Sequence, residues 1–303
     1  MKKRNTIKNL PLYLMMVPGL LYLIINNYIP LFGLVIAFKK IDYSKGIFKS
    51  DWVGFSNFVY LFKTKDAFII FRNTIGYNLA FIFLGTIVSI IVGILLAEVT
   101  RKTVLKVYQT TILLPFLLSS VLLSYVVYAF LAGDAGLINS GILEKLGLEK
   151  ISWYSDPKYW PYILIIVYLW KTFGYNTIIY FAMIIGIDKT YYEAAVVDGA
   201  SIWKQITKIT LPLLKPTIIT LVLLSLGRVF HSDFGLFYQV PMNNGLLFNV
   251  TNTIDTYVFR GLMQSNDIGR SSAASFMQSV LGFLLILGAN ALTKKIDKEN
   301  ALF

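Results

Sequence analysis

Long apolar stretches with few or no charged residues dominate this sequence and restrict what the chain can fold into. A helix that crosses a bilayer needs about 20 apolar residues, and six stretches reach that length. We predict that they form six transmembrane helices of an all-α polytopic membrane protein. Their predicted bounds are residues 10–38, 73–97, 107–133, 159–187, 216–239 and 271–293.

Three of these stretches contain residues that disturb a regular apolar helix. Pro115 lies inside the third stretch, where its ring and its missing N–H predict a kink. Arg228, His231 and Asp233 interrupt the fifth stretch, and Lys171 lies in the fourth. Charged groups inside a bilayer are rare and mark either paired charges or functional sites.

The composition excludes several other classes of protein. Of the 303 residues, 56% are hydrophobic and 15% are charged, whereas soluble domains carry about 25% charged residues. The absence of cysteine excludes disulfides and thiolate chemistry, and the single histidine, His231, argues against a metal site. The net charge of +12 fits basic flanks of membrane spans better than it fits nucleic-acid binding.

Short basic segments indicate the orientation of the chain. Residues 1–9 and the tight loop 98–106 carry several lysines and arginines, and short basic loops stay on the cytoplasmic side. An even number of spans then places both ends inside, an N-in/C-in arrangement. We expect cytoplasmic ends at 1–9 and 294–303, on either side of a single transmembrane domain over 10–293.

Segment 188–215 is too polar to span and too patterned to be a plain linker. Thr190 as N-cap and Glu193 have the spacing of a capping box, which predicts a short helix over 190–198. Gly199 follows, and glycine commonly ends a helix with a positive φ angle.

A second short helix is predicted directly after this one. Apolar residues recur at helical spacing over 201–209, and Pro212 and Pro216 then favour a break before the fifth span. The two helices would either project from the membrane or lie on the lipid surface as amphipathic helices. Residue chemistry leaves these alternatives open.

A longer gapped pattern runs through the same segment. The run Glu193-Ala194-Ala195 is followed after three residues by Gly199, and after nine more by Ile209-Thr210-Leu211-Pro212. This pattern resembles the EAA loop of ABC-importer permeases, a coupling helix that sits in a cleft of the ATP-binding subunit. The resemblance implies a type I ABC-importer permease fold. It assigns coupling to Glu193, Ala194, Ala195, Asp198, Gly199, Ile209, Leu211 and Pro212.

Four further stretches, residues 51–58, 233–241, 254–260 and 278–282, carry a narrower resemblance. They are similar to the maltose-type carbohydrate permeases, in the polysaccharide branch that works with a lipoprotein substrate-binding protein. The resemblance implies that an oligosaccharide is handed over by an extracytoplasmic lipoprotein. It also implies a second homologous permease subunit and a bacterial cell membrane.

No phosphate-binding GxxxxGK[ST] motif occurs in the sequence. We therefore expect that the chain is not an enzyme and binds neither a cofactor nor a metal. A dimer of separate ATP-binding subunits would hold ATP and magnesium.

The ionisable residues in the fourth and fifth spans suggest a substrate pathway. At about 1.5 Å per residue, Lys171 and Arg228 lie roughly 15–18 Å into their spans, near the midplane. Sugar sites combine aromatic faces with a few polar groups. The candidate residues are Trp170, Lys171, Tyr175, Asn176, Arg228, His231, Asp233, Phe234 and Tyr238.

Two interpretations of these charges stay open. Lys171 or Arg228 could pair with Asp233 and brace two helices, since a buried charge must be paired or hydrated. Alternatively, two bases against one acid leave a positive excess that favours an acidic, uronate-containing oligosaccharide.

Three other functions compete with a carbohydrate permease. The coupling loop alone also permits an ABC importer for a different solute. A secondary transporter needs coupling-ion carboxylates and usually repeats, whereas Asp233 is the one clear intramembrane carboxylate in the sequence. A membrane enzyme needs an acid/base pair or a metal, which one histidine and no cysteine make a poor prospect.

Overall fold

The apolar stretches form helices in the computed structural model, which describes the backbone of residues 10–296 and the side chains of 11–295. The predicted cytoplasmic segment 1–9 lies outside the described residues, as do residues 297–303 of the predicted C-terminal segment. The main helices are α1 (Leu10–Leu23), α2 (Lys65–Ala97), α3 (Lys102–Leu113), α4 (Ser120–Leu131), α5 (Trp160–Ile185), α6 (Lys189–Val197), α7 (Ile202–Leu226), α8 (Phe234–Gln239), α9 (Ile254–Met263) and α10 (Ile268–Ile296).

Shorter elements connect these helices. A π-helical turn, a short α-turn and a 3₁₀ helix continue α1 as far as Phe38. Strands β1 (Lys39–Lys40) and β2 (Asp51–Trp52) pair antiparallel, with Lys39 opposite Trp52. The remaining helical turns are Gly46–Lys49, Gly54–Phe58, Tyr60–Lys63, Pro115–Leu117, Leu137–Leu143, Pro157–Tyr159, Gly245–Leu247 and Phe248–Thr251.

Five helices within the described residues are long and apolar enough to cross a membrane. A sixth span is counted if α3 and α4 are taken as one, although the helical pieces Lys102–Leu117 and Ser120–Leu131 are bent by 98°. At Pro115 the helix changes to a 3₁₀ turn, and the break follows three residues later, at Leu118, where the backbone is extended. Ser119 then caps α4 by accepting a hydrogen bond from the Leu122 N–H.

The predicted division of the loop from the fifth span is wrong. The second short helix predicted over 201–209 continues through Pro212 and Pro216 into the span and forms a single helix, α7. Pro212 lies in the first turn after a π-helical turn, Ile206–Thr210. Helix irregularities of this kind accommodate a proline that a regular helix interior would not.

The far end of the predicted fifth span also differs from the structure. Helix α7 ends at Leu226, and α8 begins only at Phe234. The intervening residues 227–233, called the broken segment below, are not helical. Arg228, His231 and Asp233 therefore lie on a turn-rich connection and not on a continuous transmembrane helix.

The chain divides into two compact units by its internal contacts. The first comprises residues 1–63 and 258–276, and it is built around an aromatic cluster. Phe38 stacks on Trp52 with 5.7 Å between ring centroids and meets Phe276 edge to face at 5.2 Å. Asn57 joins this unit's loops by donating to the Ala37 and Lys39 carbonyls.

The second unit comprises residues 64–257 and 277–303, and its core lies among α2, α4, α5 and α8. Trp160 is fully buried, and its indole N–H donates to the Trp153 carbonyl at 2.7 Å. Helices α3 and α5 cross closely at Gly174, where any side chain would collide with the Ile112 carbonyl. Helices α2 and α5 pack directly, and a side chain at Gly93 would come within 3.3 Å of Phe181 and Tyr180.

Candidate functional site

A cavity of about 430 Å³ lies in the second unit between α2, α5 and the broken segment. Aromatic and polar side chains line it together. Its lining residues are Asn78, Phe81, Ile82, Gly85, Thr86, Tyr168, Thr172, Asn176, Ser225, Arg228, His231, Ser232 and Asp233.

The aromatic wall of the cavity comes from two neighbouring helices. Phe81 of α2 and Tyr168 of α5 stack with 3.7 Å between ring centroids and 8° between ring planes. Thr172 and Asn176 follow Tyr168 at helical spacing, so they lie on the same face of α5. The wall combines an apolar surface with hydroxyl and amide groups, the mixture that a sugar site needs.

Side chains from other helices bond the backbone of the broken segment. Asn78 of α2 donates to the carbonyls of Val229, at 2.9 Å, and His231, at 3.0 Å. Gln278 of α10 donates to the Phe230 carbonyl. Backbone groups within a membrane protein need such partners wherever the helix is interrupted.

Asp255 of α9 completes this network. Its Oδ2 accepts hydrogen bonds from the Ser232 N–H at 2.6 Å and the Ser232 hydroxyl at 2.8 Å. The amide of Gln278 lies 3.2 Å from both carboxylate oxygens, and His231 Nδ1 lies 3.8 Å from Oδ1. Burial raises the pKa of Asp255, but the neighbouring His231 and the hydrogen bonds from Ser232 and Gln278 outweigh it and hold the pKa below its ordinary value.

Lys171 and Asp233 form an ion pair on the other side of the cavity. Lys171 Nζ lies 3.7 Å from Asp233 Oδ2 and 3.3 Å from the Ser120 hydroxyl. Asp233 also caps α8, because its Oδ1 accepts from the Leu236 N–H at 3.0 Å. This geometry fits the helix-bracing alternative for Lys171, and the alternative pair of Arg228 with Asp233 does not form.

Arg228 differs from the other charged groups. It lines the cavity and is exposed, and no carboxylate of the described residues lies within 4.0 Å of its guanidinium. Asp255 supplies a second acid to the cluster, which changes the predicted excess of two bases over one acid. The carboxylate of Asp233 pairs with Lys171 and that of Asp255 faces His231, so among the described residues Arg228 is a cation on the wall without a carboxylate partner.

The structure brings only part of the predicted substrate pathway into this cavity. Asn176, Arg228, His231 and Asp233 line it, whereas Trp170, Lys171, Tyr175, Phe234 and Tyr238 do not. Instead, Tyr175 stacks on Phe116 at 4.9 Å and Phe234 on Tyr238 at 5.0 Å.

Sequence reasoning missed Asn78, Tyr168, Asp255 and Gln278. Asn78 and Gln278 are polar residues within otherwise apolar spans, and that signal could have identified them.

The predicted coupling loop forms a helix, a sharp turn and the start of α7. Asp188 caps α6 by accepting a hydrogen bond from the Thr190 N–H at 2.9 Å, so the prediction of Thr190 as N-cap is wrong. The helix begins one residue earlier than expected because aspartate at 188 already provides a good cap. Gly199 has φ +71°, the left-handed conformation predicted for it.

A side-chain hydrogen bond connects α6, the predicted coupling helix, to α7. The hydroxyl of Tyr192 lies 2.9 Å from the Thr210 hydroxyl, and Thr210 itself is buried. In α6, whose residues are all described, none is buried, and Val197 is 88% exposed. Glu193, Ala194 and Ala195 lie on this exposed helix, Asp198 and Gly199 form its end, and Ile209, Leu211 and Pro212 lie on α7.

A bundle of membrane spans, a mixed polar and aromatic cavity and an exposed helix at one end of a span together define a membrane transport component. A family model described as "Binding-protein-dependent transport system inner membrane component" matches residues 85–298. The chain belongs to this family.

Two proteins of one bacterium are similar to this chain over most of its length. Protein LplB of Bacillus subtilis (strain 168) is 35% identical over 291 residues, which cover 95% of this chain and 90% of that protein. The polygalacturonan/rhamnogalacturonan transport system permease protein YteP of the same organism is 34% identical over 296 residues, covering 95% and 89%.

A solved structure shares the fold over almost its whole length. It is a chain of a bacterial ABC transporter involved in the import of the acidic polysaccharide alginate, with a TM-score of 0.88 and 29% identity. The match covers 97% of this chain and 98% of that chain. A second structure of the alginate transporter, in complex with an alginate pentasaccharide-bound periplasmic protein, matches equally well.

The chain is therefore a permease subunit of a bacterial ABC importer and a multi-pass protein of the cell membrane. The prediction of this class from the coupling loop is confirmed, and the secondary-transporter and membrane-enzyme alternatives fall away. The N-in/C-in orientation stays a prediction.

Proposed function

We propose that this permease imports an acidic oligosaccharide, which an extracytoplasmic binding lipoprotein delivers. Arg228 carries the proposal, because its guanidinium lines the cavity and pairs with no carboxylate of the described residues. The same cavity also offers the stacked Phe81 and Tyr168. A guanidinium binds a carboxylate through two parallel hydrogen bonds. The amide of Asn176 and the hydroxyls of Thr172 and Ser225 on the same wall suit sugar hydroxyls.

The relatives point to the same chemistry. One similar permease is named for polygalacturonan/rhamnogalacturonan transport, and a similar structure imports the acidic polysaccharide alginate. Other relatives are named for galactooligosaccharides and arabinooligosaccharides at 24% and 25% identity. The relatives at higher identity thus favour an acidic substrate over a neutral one.

The exposed coupling helix supports an ATP-binding partner. Val196, Val197 and Trp203 expose apolar surface beside the acidic Glu193, and contiguous exposed apolar surface marks an interaction site. A dimer of ATP-binding subunits would hold ATP and magnesium, and a second homologous permease would complete the pathway. The coupling residues act here through contact with the ATP-binding subunit.

Helix α7 links the two functional regions directly. It runs without interruption from Ile202, beside the coupling turn, to Leu226, where the broken segment begins. A rigid helix can transmit a rigid-body displacement. Movement of the ATP-binding subunits would therefore reach Arg228 and turn the cavity from one side of the membrane to the other.

The test is import by the complete transporter in proteoliposomes, with acidic and neutral oligosaccharides of equal length. Arg228→Gln should raise the apparent KM for the acidic substrate about 10- to 100-fold, because a hydrogen bond to a charged group contributes about 1.5–3 kcal/mol. Arg228→Lys, which keeps the charge, is the matched control and should retain part of the affinity. Import of neutral substrates should change little.

Two results would contradict the proposal. One is equal import of acidic and neutral oligosaccharides by the wild-type transporter. The other is an Arg228→Gln variant that loses both substrates to the same extent, since that would assign Arg228 a structural role.

A further inference from the structure

We propose that Asp255 is a positioning residue for the substrate cavity, holding the broken segment so that Arg228 faces the cavity. The inference rests on the proposed function for the role of Arg228. Asp255 does not itself line the cavity. It acts through Ser232 and His231, which do.

The hydrogen bonds within the broken segment do not fix its orientation. Within the segment, backbone hydrogen bonds are short-range turns, such as His231 N–H to the Arg228 carbonyl at 2.8 Å. Turns of this kind are the same whichever way the segment faces, so they do not orient it against its neighbours. Asn78, Asp255 and Gln278, called the latch below, provide that orientation from three different helices.

The direction of the Arg228 side chain depends on the backbone of the broken segment. Arg228 is exposed on the cavity wall and has no carboxylate within 4.0 Å in the described part of the chain, so no ion pair directs its side chain. The direction of its side chain is therefore set by its backbone. The backbone on its C-terminal side is held at Val229, Phe230 and Ser232 by the latch.

Asp255 is the central member of the latch. Asn78 and Gln278 bond to carbonyls, whereas Asp255 accepts both donors of Ser232 and lies beside the amide of Gln278. Its side chain is 23% exposed, and it also faces His231. Removing it would leave the Ser232 N–H, a partly buried donor, without this acceptor, which costs about 1 kcal/mol.

The experiment uses a cysteine reporter, because the sequence contains no cysteine. Ser225→Cys places a single thiol on the cavity wall. Its reaction rates with a negatively and a positively charged thiosulfonate of similar size are compared, in the assembled transporter. The ratio of the two rates reports the electrostatic potential at the wall and does not depend on transport.

Asp255→Ala should lower the anionic-to-cationic rate ratio about as far as Arg228→Gln does, and it should raise the KM for the acidic oligosaccharide about tenfold. Asp255→Asn is the matched control, because its amide oxygen can still accept from both Ser232 donors. It should restore the rate ratio and KM to within about twofold of the parent. An unchanged ratio in Asp255→Ala, with import of acidic and neutral substrates reduced equally, would overturn the proposal.

A second variant covers the case in which Asp255→Ala does not fold. Gln278→Met removes the donor to the Phe230 carbonyl with little change in volume, and it should lower the rate ratio in the same direction by a smaller amount. No change in that ratio would overturn the latch. If the ratio falls in these variants while wild-type import ignores substrate charge, the positioning role stands and the proposed substrate class fails.

Discussion

The coupling loop and the broken segment are held in opposite ways. In the coupling loop, Asp188 bonds to Thr190 and Ala200 to Ala195, so its partners lie within a few residues. In the broken segment, the partners lie far away in sequence. Asn78 is 151 residues from Val229, and Gln278 is 48 residues from Phe230.

This difference fits a transporter in which α6 moves with a partner while the broken segment stays fixed against its neighbouring helices. The coupling helix is exposed and tied to α7 through one side-chain bond, between Tyr192 and Thr210. It can therefore move with a partner at low cost in internal contacts. The broken segment is bonded to three helices, so any displacement of α7 would change the cavity wall as a unit.

The largest expected effect comes from breaking the ion pair beside the broken segment. Lys171→Met leaves the Asp233 carboxylate, whose side chain is 30% exposed, without its cation. Loss of one partner of this half-buried pair should lower the free energy of unfolding by about 1–3 kcal/mol, because the remaining carboxylate keeps part of its hydration. Thermal unfolding of the detergent-solubilised transporter, followed by size-exclusion chromatography, measures this loss.

The matched control for this variant is the double substitution Lys171→Met with Asp233→Asn. Asparagine carries no charge and still caps α8, so the double variant should recover most of the lost stability. Equal unfolding temperatures for the single and double variants would show that the pair does not hold the segment.

The next effect belongs to the coupling loop and should be functional. Gly199→Val forces a β-branched residue into φ +71°, at a cost of about 1–2 kcal/mol or more. The turn between α6 and α7 should change, and import should fall by about tenfold or more. Membrane insertion should be unchanged, because the spans are untouched.

Import and ATP hydrolysis stimulated by the loaded binding protein are measured together for this variant. Gly199→Asn is the control, since asparagine tolerates the left-handed conformation. Wild-type import and stimulated hydrolysis in Gly199→Val would rule out a role of this turn in coupling.

The smallest effect distinguishes the two possible caps of α6. Asp188→Ala should reduce import roughly threefold through fraying of the coupling helix, whereas Thr190→Ala should change it less. Hydrogen bonds from the backbone and side chain of Thr190 lower the pKa of Asp188 from 3.8. Because the pKa is lowered, the ionised cap stabilises the helix fully at pH values above 3.8. This stabilisation is lost only as the pH falls through the lower pKa of the folded protein.

The difference between the two cap variants should therefore be constant across the neutral pH range, as assayed by import at several pH values. Equal effects of the two substitutions would restore Thr190 as the cap.

Local patterns in the sequence were sufficient to predict much of the fold. Charge-free stretches predicted the spans, and the Glu193–Pro212 pattern predicted the exposed helix and its turn at Gly199. Both signals depend on hydrophobicity and spacing within one segment. The errors at Thr190 and Pro212 have the same origin, because a neighbouring aspartate and a π-helical turn offered alternatives that spacing alone does not rank.

The sequence by itself determined that this chain spans a membrane, carries a short helix that ends at Gly199 and places charges among its apolar stretches. Only the tertiary structure decided which of those charges pair and which face the cavity. Lys171 meets Asp233 across 62 residues, and Arg228 faces the cavity with no carboxylate of the described residues within 4.0 Å. Asp255 and Gln278 hold its segment from other helices. Such pairings depend on distances between helices, which no periodicity along a single helix encodes.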